Sequence, residues 1–198
     1  MNIQALIYDG FDELDVIGVY EPLRMAGFNV ALLSLHKQEI IKTAHGLRIH
    51  SDGILNLENK PDILIVPGGG WVNRSPQGAW IEAKKEDLLQ TLVSFHKAGV
   101  VMTSVCTGAM LLAKAGLLAG RPATTNDEAI EELRLSGAKV ITARVVDDDD
   151  IVTAGGITSS LDLGLWLIKR FAGQDKANEI SKRLEFEARS PVWTRNSN

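Results

Sequence analysis

Short apolar runs alternate along the chain with longer stretches whose apolar residues recur at helical spacing. Ile3 to Tyr8 is an apolar run ending at Asp9-Gly10 and reads as a buried strand. Asp15 is placed to cap a helix that runs to about Ala26 and stops at Gly27. Asn29 to Leu35 reads as a second strand. Residues 40–43 and 47–50, on either side of Ala44-His45-Gly46, read as a small hairpin. Asp62 to Val66 is another buried strand, closed by Pro67-Gly68-Gly69-Gly70 and followed by a helix from about Ile81 to Lys97. Val100 to Val105 is strand, Thr107 to Ala115 helix, and Asn126 to Ser136 an amphipathic helix. Val140 to Val146 and Ile151 to Thr153 are strands flanking an acidic turn, Asp147–Asp150; Thr158 to Phe171 and Ala177 to Phe186 close the chain as helices. This order predicts an α/β fold with a mostly parallel sheet covered on both faces and a small β-hairpin.

Composition adds limits. A chain of 198 residues, 45% apolar and 23% charged, is expected to form one domain over 1–198. With 21 basic against 25 acidic residues and no basic patch, nucleic acid is not an expected partner. One cysteine excludes an internal disulfide and a multi-cysteine zinc site. The N-terminus lacks a signal-peptide pattern and no run is long enough to span a membrane, so a cytoplasmic location is expected. The aspartate run lacks the spaced oxygen ligands of a calcium loop and is expected as a solvated hairpin tip. His36, His45, His50 and His96 show no metal-ligand spacing; His45 is expected at the surface.

The segment Ser104-Val105-Cys106-Thr107-Gly108-Ala109 runs from a buried strand into a helix, with a cysteine at the joint and small residues on both sides. That is the layout of a nucleophile elbow, where a sharp turn leaves no room for bulk. A cysteine at a helix N-terminus faces free backbone N–H groups and the positive end of the dipole, so a lowered thiol pKa is expected. A buried structural cysteine fits the same segment. The glycine turn after the preceding strand could place a bare N–H beside the Thr107 N–H as a cradle for a developing anion. Gly10 to Gly18, after the first strand, lies at the same sheet edge, where Asp15 is either a helix cap or an acid of the site.

Taken together, these segments resemble the ThiJ/PfpI superfamily, flavodoxin-like proteins related to class I glutamine amidotransferase domains. The resemblance rests on Tyr8 to Asp15, Ile65 to Gly70, Ser104 to Ala109, Ala115 to Thr125 and Val152 to Ser159. It implies a flavodoxin-like mostly parallel sheet between helices, Cys106 as the reactive residue, Asp15 as its acidic partner, and Gly69 and Thr107 as oxyanion donors, with Gly70 beside them. Asp at position 15 and Cys106-Thr107-Gly108 resemble the isonitrile hydratase branch, while Thr107 departs from the histidine that follows the cysteine in PfpI-type peptidases. Many relatives have Ala-Thr-Thr-His where this chain has Ala123-Thr124-Thr125-Asn126; Asn126 is a substrate-binding candidate that can hydrogen-bond but cannot accept a proton at neutral pH. The resemblance thus implies a cofactor-free, cysteine-dependent enzyme for a small molecule, most like an isonitrile hydratase. Alternatives are a glyoxalase- or deglycase-like activity on small dicarbonyls, a cysteine oxidation sensor, or the ligand-binding domain found ahead of helix-turn-helix modules. A homodimer is expected by resemblance. Ile17, Trp71 and Val72 are near enough in sequence to line a substrate pocket; Trp71 is also placed as a lid or interface residue. Trp166 is expected in the core and Trp193 at an exposed subunit contact.

Overall fold

A computed structural model describes residues 1–195. The elements in chain order are β1 (Asn2–Leu6), α1 (Glu13–Met25), β2 (Asn29–Ser34), β3 (Ile40–Lys42), β4 (Arg48–His50), β5 (Gly53–Ile54) and β6 (Ile63–Val66). Next come α2 (Ala79–Glu82), α3 (Glu86–Lys97), β7 (Val101–Ser104), α4 (Gly108–Lys114), β8 (Pro122–Ala123), α5 (Ile130–Leu135) and β9 (Lys139–Val140). The remainder is β10 (Val145–Asp148), β11 (Ile151–Ala154), α6 (Ser159–Ala172), α7 (Gln174–Leu184) and β12 (Trp193–Thr194).

The main sheet has the order β12-β10-β11-β7-β6-β1-β2-β5. From β5 across to β11 every neighbouring pair is parallel. β10 turns back antiparallel to β11, and β12 lies parallel to β10 at the edge. In the centre, Ile63-Leu64-Ile65-Val66 is buried at every position, as a parallel strand covered on both faces must be. On one side α1 packs on α6 and α7; α4 packs on α2, α3 and α5. α1 and α6 approach so closely that a Cβ on Gly18 would lie 2.0 Å from Ser160 Oγ. The sheet directs the loops after β1, β6, β7 and β11 to one edge, where open α/β sheets form their clefts.

The mostly parallel sheet, the flanking helices and the hairpin agree with the sequence reading; β3 and β4 pair with Ile41 opposite Ile49. Several boundaries differ. α1 is capped by Asp12, whose side chain accepts from Leu14 N–H, and Asp15 lies inside the first turn, fully buried. The expected helix 81–97 is two helices, α2 and α3. The expected helix from Asn126 opens with a short 3-10 turn over Asp127–Ala129 before α5. The expected strand 140–146 is broken, because β9 pairs with β8 while β10 joins the main sheet. Trp166 is half-buried rather than core, and Trp193 is half-buried in the edge strand β12.

The aspartate run is a solvated hairpin tip over only half its length. Asp147 and Asp148 are buried at 5% and 1% exposure; only Asp149 and Asp150 face solvent. Arg170 and the Trp166 indole N–H (2.7 Å) donate to Asp147. Asp148 accepts from Arg121 Nε at 2.6 Å and from Arg195 Nε at 2.7 Å, so it ties the end of the chain to the sheet. Burial of an acid needs partners of this kind. Removing one member of such a pair strands the others. Asp148→Asn is expected to lower unfolding stability by about 3 kcal/mol, read from urea denaturation, and an unchanged midpoint would show that the two arginines are satisfied without it.

Candidate active site

Cys106 stands between β7 and α4 with φ 54°, a left-handed backbone that side chains other than glycine rarely adopt. The turn is held on both sides. The Cys106 N–H donates to Ala154 and Gly155 carbonyls, and its own carbonyl accepts from Thr125 Oγ1 at 2.8 Å. The neighbouring loop touches it backbone to backbone: a Cβ on Gly68 would lie 2.5 Å from Thr107 N, and one on Gly108 2.1 Å from Val66 O. The small residues of the elbow therefore have the steric cause that the sequence pattern suggests.

Asp15 reaches the same place from α1. Its Oδ2 accepts from Gly68 N–H at 2.8 Å. Its Oδ1 is enclosed and has no hydrogen-bond partner. Burial, reinforced by the charge of Asp12, pushes the Asp15 carboxyl well above the usual carboxylate range. Burial likewise pushes the Cys106 thiol up to about 12, with the Asp15 charge adding to it. The backbone N–H groups of Ile157 and Thr107 favour the thiolate and are outweighed. The lowered thiol expected from the helix start is thus reversed: Cys106 is 6% exposed, α4 is short, and an acid stands beside it. Burial thus favours the protonated form of both groups, and the Asp15 charge disfavours the thiolate further.

The other expected residues divide. Thr107 is buried, and its Oγ1 accepts from Gly69 N–H at 3.1 Å, so that Gly69 donor is engaged by the side chain instead of standing bare. Gly70 has φ 68° and its carbonyl accepts from Ser75 N–H, which fixes the turn beyond it. Asn126 Oδ1 accepts from Glu128 N–H, capping the turn over residues 127–129, while its Nδ2 would touch a Cβ on Gly156 at 2.8 Å. Trp71 is not a lid and offers no face to a substrate: it is 1% exposed, lies edge-to-face on Trp80 and donates its indole N–H to Glu132. Ile17 is not brought to the sulfur either. Two positions along a helix turn the side chain away from Asp15, and Ile17 lines a separate apolar groove with Tyr20, Met25 and Ile49. Val72 is exposed.

Two residues of the site have no separate signal in the sequence. Tyr8 ends the first apolar run, yet its buried hydroxyl donates to Pro67 O at 2.6 Å and pins the loop that carries Gly68. Ile157, whose N–H meets the Cys106 sulfur, has φ 25°, and a strained β-branched position cannot be read from residue type.

His45 is exposed, as expected, and its Nδ1 lies 2.8 Å from Glu13 Oε2. Glu13 also accepts from Thr43 Oγ1, fastening the hairpin to the start of α1. With Asp12 these two form a group whose ligand atoms lie within 4.8 Å of one another, and it is the place among the described residues where a metal could be held. Its members already satisfy part of one another's bonding.

The raised thiol has a measurable consequence. The rate of Cys106 alkylation should climb with pH and not level off in the ordinary thiol range, since thiolate is scarce until pH nears about 12. Asp15→Asn removes a neighbouring negative charge and should shift the curve to lower pH. A plateau near pH 7 in the wild type would contradict both statements.

A family model for the DJ-1/PfpI family matches residues 1–170. The isonitrile hydratase of Pseudomonas putida is 30% identical over 193 residues, 96% of this chain and 81% of that protein. The HTH-type transcriptional regulator CdhR of Pseudomonas aeruginosa is 32% identical over 187 residues, but the match covers 90% of this chain and 53% of that one. A deglycase of Pyrococcus abyssi is 27% identical over 156 residues, 78% of this chain and 89% of that protein. Among solved structures, a ThiJ/PfpI family protein from Pseudomonas syringae is 25% identical with a TM-score of 0.83, covering 96% of this chain and 76% of that one. No helix among the described residues is long and apolar enough to cross a membrane. With the fold, the elbow and the matched span in agreement, the chain belongs to the DJ-1/PfpI family.

Proposed function

We propose that this protein is a cysteine-dependent enzyme that adds water to a small isonitrile, giving an N-substituted formamide. The observation that carries the reading is the enclosed pair of Cys106 and Asp15, an acid with one oxygen unpaired and its pKa raised, against a nucleophile at a strained elbow. Isonitrile carbon needs both a nucleophile and a proton, and the pair supplies them at one place. The identity with the P. putida isonitrile hydratase supports the same chemistry.

The steps balance as follows. Cys106 Sγ bonds to the terminal isonitrile carbon. The Asp15 carboxyl proton moves to that carbon, and the thiol proton replaces it on the carboxylate. The product is a neutral thioimidate. Water then adds to the thioimidate carbon, with a proton passing to nitrogen. The Sγ–C bond breaks, the formamide leaves, and sulfur recovers a proton. No redox partner is required. Thr107 is the candidate to hold water or the substrate nitrogen. Asn126, which cannot accept a proton, has no required part in proton transfer. The Gly69–Gly70 turn holds the Thr107 hydroxyl in place. A raised thiol is the opposite of the low-pKa, accessible thiol that suits an oxidation sensor.

Proton NMR with an alkyl isonitrile tests the reading. Wild-type protein should accumulate formamide over many turnovers, Cys106→Ala none, and Asp15→Asn should lose roughly 10²–10⁴ in kcat. No formamide from the wild type, or undiminished turnover in Cys106→Ala, would overturn it. D-lactate from methylglyoxal would move the assignment to dicarbonyl chemistry.

A further inference from the structure

A cleft of about 950 Å³ opens beside the elbow. Its inner wall includes Thr125 and Gly155, which are bonded to the Cys106 carbonyl and N–H. Gly156, also in the wall, precedes the residue whose N–H meets the sulfur. The lining also carries hydrogen-bond donors. Asn126 Nδ2 lies over Gly156, where a larger residue would not fit. Arg144 and Ser190 line the same cleft.

Arg144 is held in a way that leaves it half available. Its Nε and Nη2 donate to the buried carboxylate of Asp162 at 2.8 and 2.6 Å, and Nη2 also reaches Thr158 Oγ1 at 3.1 Å. Its carbonyl accepts from Gly155 N–H, so backbone and side chain are both fixed. No hydrogen bond among the described residues uses Nη1. Ser190 Oγ is enclosed and has no partner. A guanidinium oriented on one edge by a buried acid presents its other donors ready for a planar anion.

We infer that this cleft binds a carboxylate borne by the substrate, seated on Arg144 with Asn126 and Ser190 beside it, while the reacting carbon lies past Gly156 at Cys106. The inference deepens the hydratase reading and rests on it for the identity of the reacting group; the anion site itself rests on the cleft alone. The acidic groups that face the cleft do not cancel it. Asp162 is committed to Arg144 and to the Arg189 N–H, and Asp127 and Glu128 are exposed, with Arg134 also on the lining. Solvent screens the exposed pair more than the enclosed donors.

Two measurements test it together. In the first, kcat/KM is compared for a neutral alkyl isonitrile and for an ω-isocyano alkanoate of the same chain length. The carboxylate compound should be favoured on the order of tenfold or more, the size expected from charge-assisted hydrogen bonds. In the second, glutarate is titrated into Cys106→Ala protein by NMR, a readout independent of turnover. Shifts should map to Arg144, Asn126 and Ser190. Arg144→Gln leaves Asp162 unpaired and could unfold the chain, so Arg144→Gln/Asp162→Asn and Arg144→Lys are measured beside it. In the folded double variant both the preference and the glutarate shifts should vanish; in Arg144→Lys, charge without the fork should restore part of them. Turnover of the neutral isonitrile with no carboxylate preference and no glutarate binding would overturn this inference and leave the hydratase reading standing. Glutarate binding at Arg144 with no isonitrile turnover would support the anion site and overturn the hydratase reading. Neither signal would overturn both.

Discussion

The site depends on one backbone constraint: Cys106 is held at φ 54° between a buried parallel strand and a helix. A residue with a Cβ stays in that conformation only where its surroundings fix it, at a cost of order 1 kcal/mol or more. Here the fixing groups come from separate parts of the chain. Gly155 and Thr125 hold the two ends of the Cys106 peptide unit, and the Val66–Gly68 backbone abuts Thr107 and Gly108 with no space for a side chain. The parallel register of β6, β7 and β11 brings those loops to one edge, so the fold and the elbow are parts of the same arrangement.

Burial then decides the electrostatics. At the surface, backbone N–H groups at a helix start would favour a thiolate. In this enclosed site the desolvation cost is larger, and a second ionisable group, Asp15, stands close enough to add to it. The outcome is a pair in which burial favours the protonated form of both groups. That suits a reaction in which the carbon under attack is also the carbon that is protonated. Tyr8 contributes indirectly by fixing the loop whose Gly68 N–H meets Asp15 Oδ2.

Much of this was legible in the sequence because small residues and apolar runs have direct steric meaning. The run Ile63 to Val66 reads as a strand covered on both faces, and Ser104 to Ala109 as a tight turn from strand to helix. What was not legible depended on partners distant in the chain. Four consecutive aspartates look solvated, yet Arg121, Arg170 and Arg195 converge on two of them. Trp71 follows the glycine turn and looks like a lid, yet Trp80 and Glu132 enclose it. Ile17 sits two residues from Asp15, and helical rotation carries it to another surface. The sign of the thiol shift was missed for the same reason: helix position is local, whereas burial beside an acid is tertiary. Arg144 carries no motif at all, and only the fold sets it in a cleft behind the elbow.

The central claim is that burial favours the protonated form of Asp15 and of Cys106. Difference infrared spectroscopy at neutral pH, wild type against Asp15→Asn, reads the carboxyl directly. The account predicts a protonated carboxylic acid C=O band that disappears in the variant. An ionised carboxylate signature from Asp15, with no acid band lost on substitution, would contradict it.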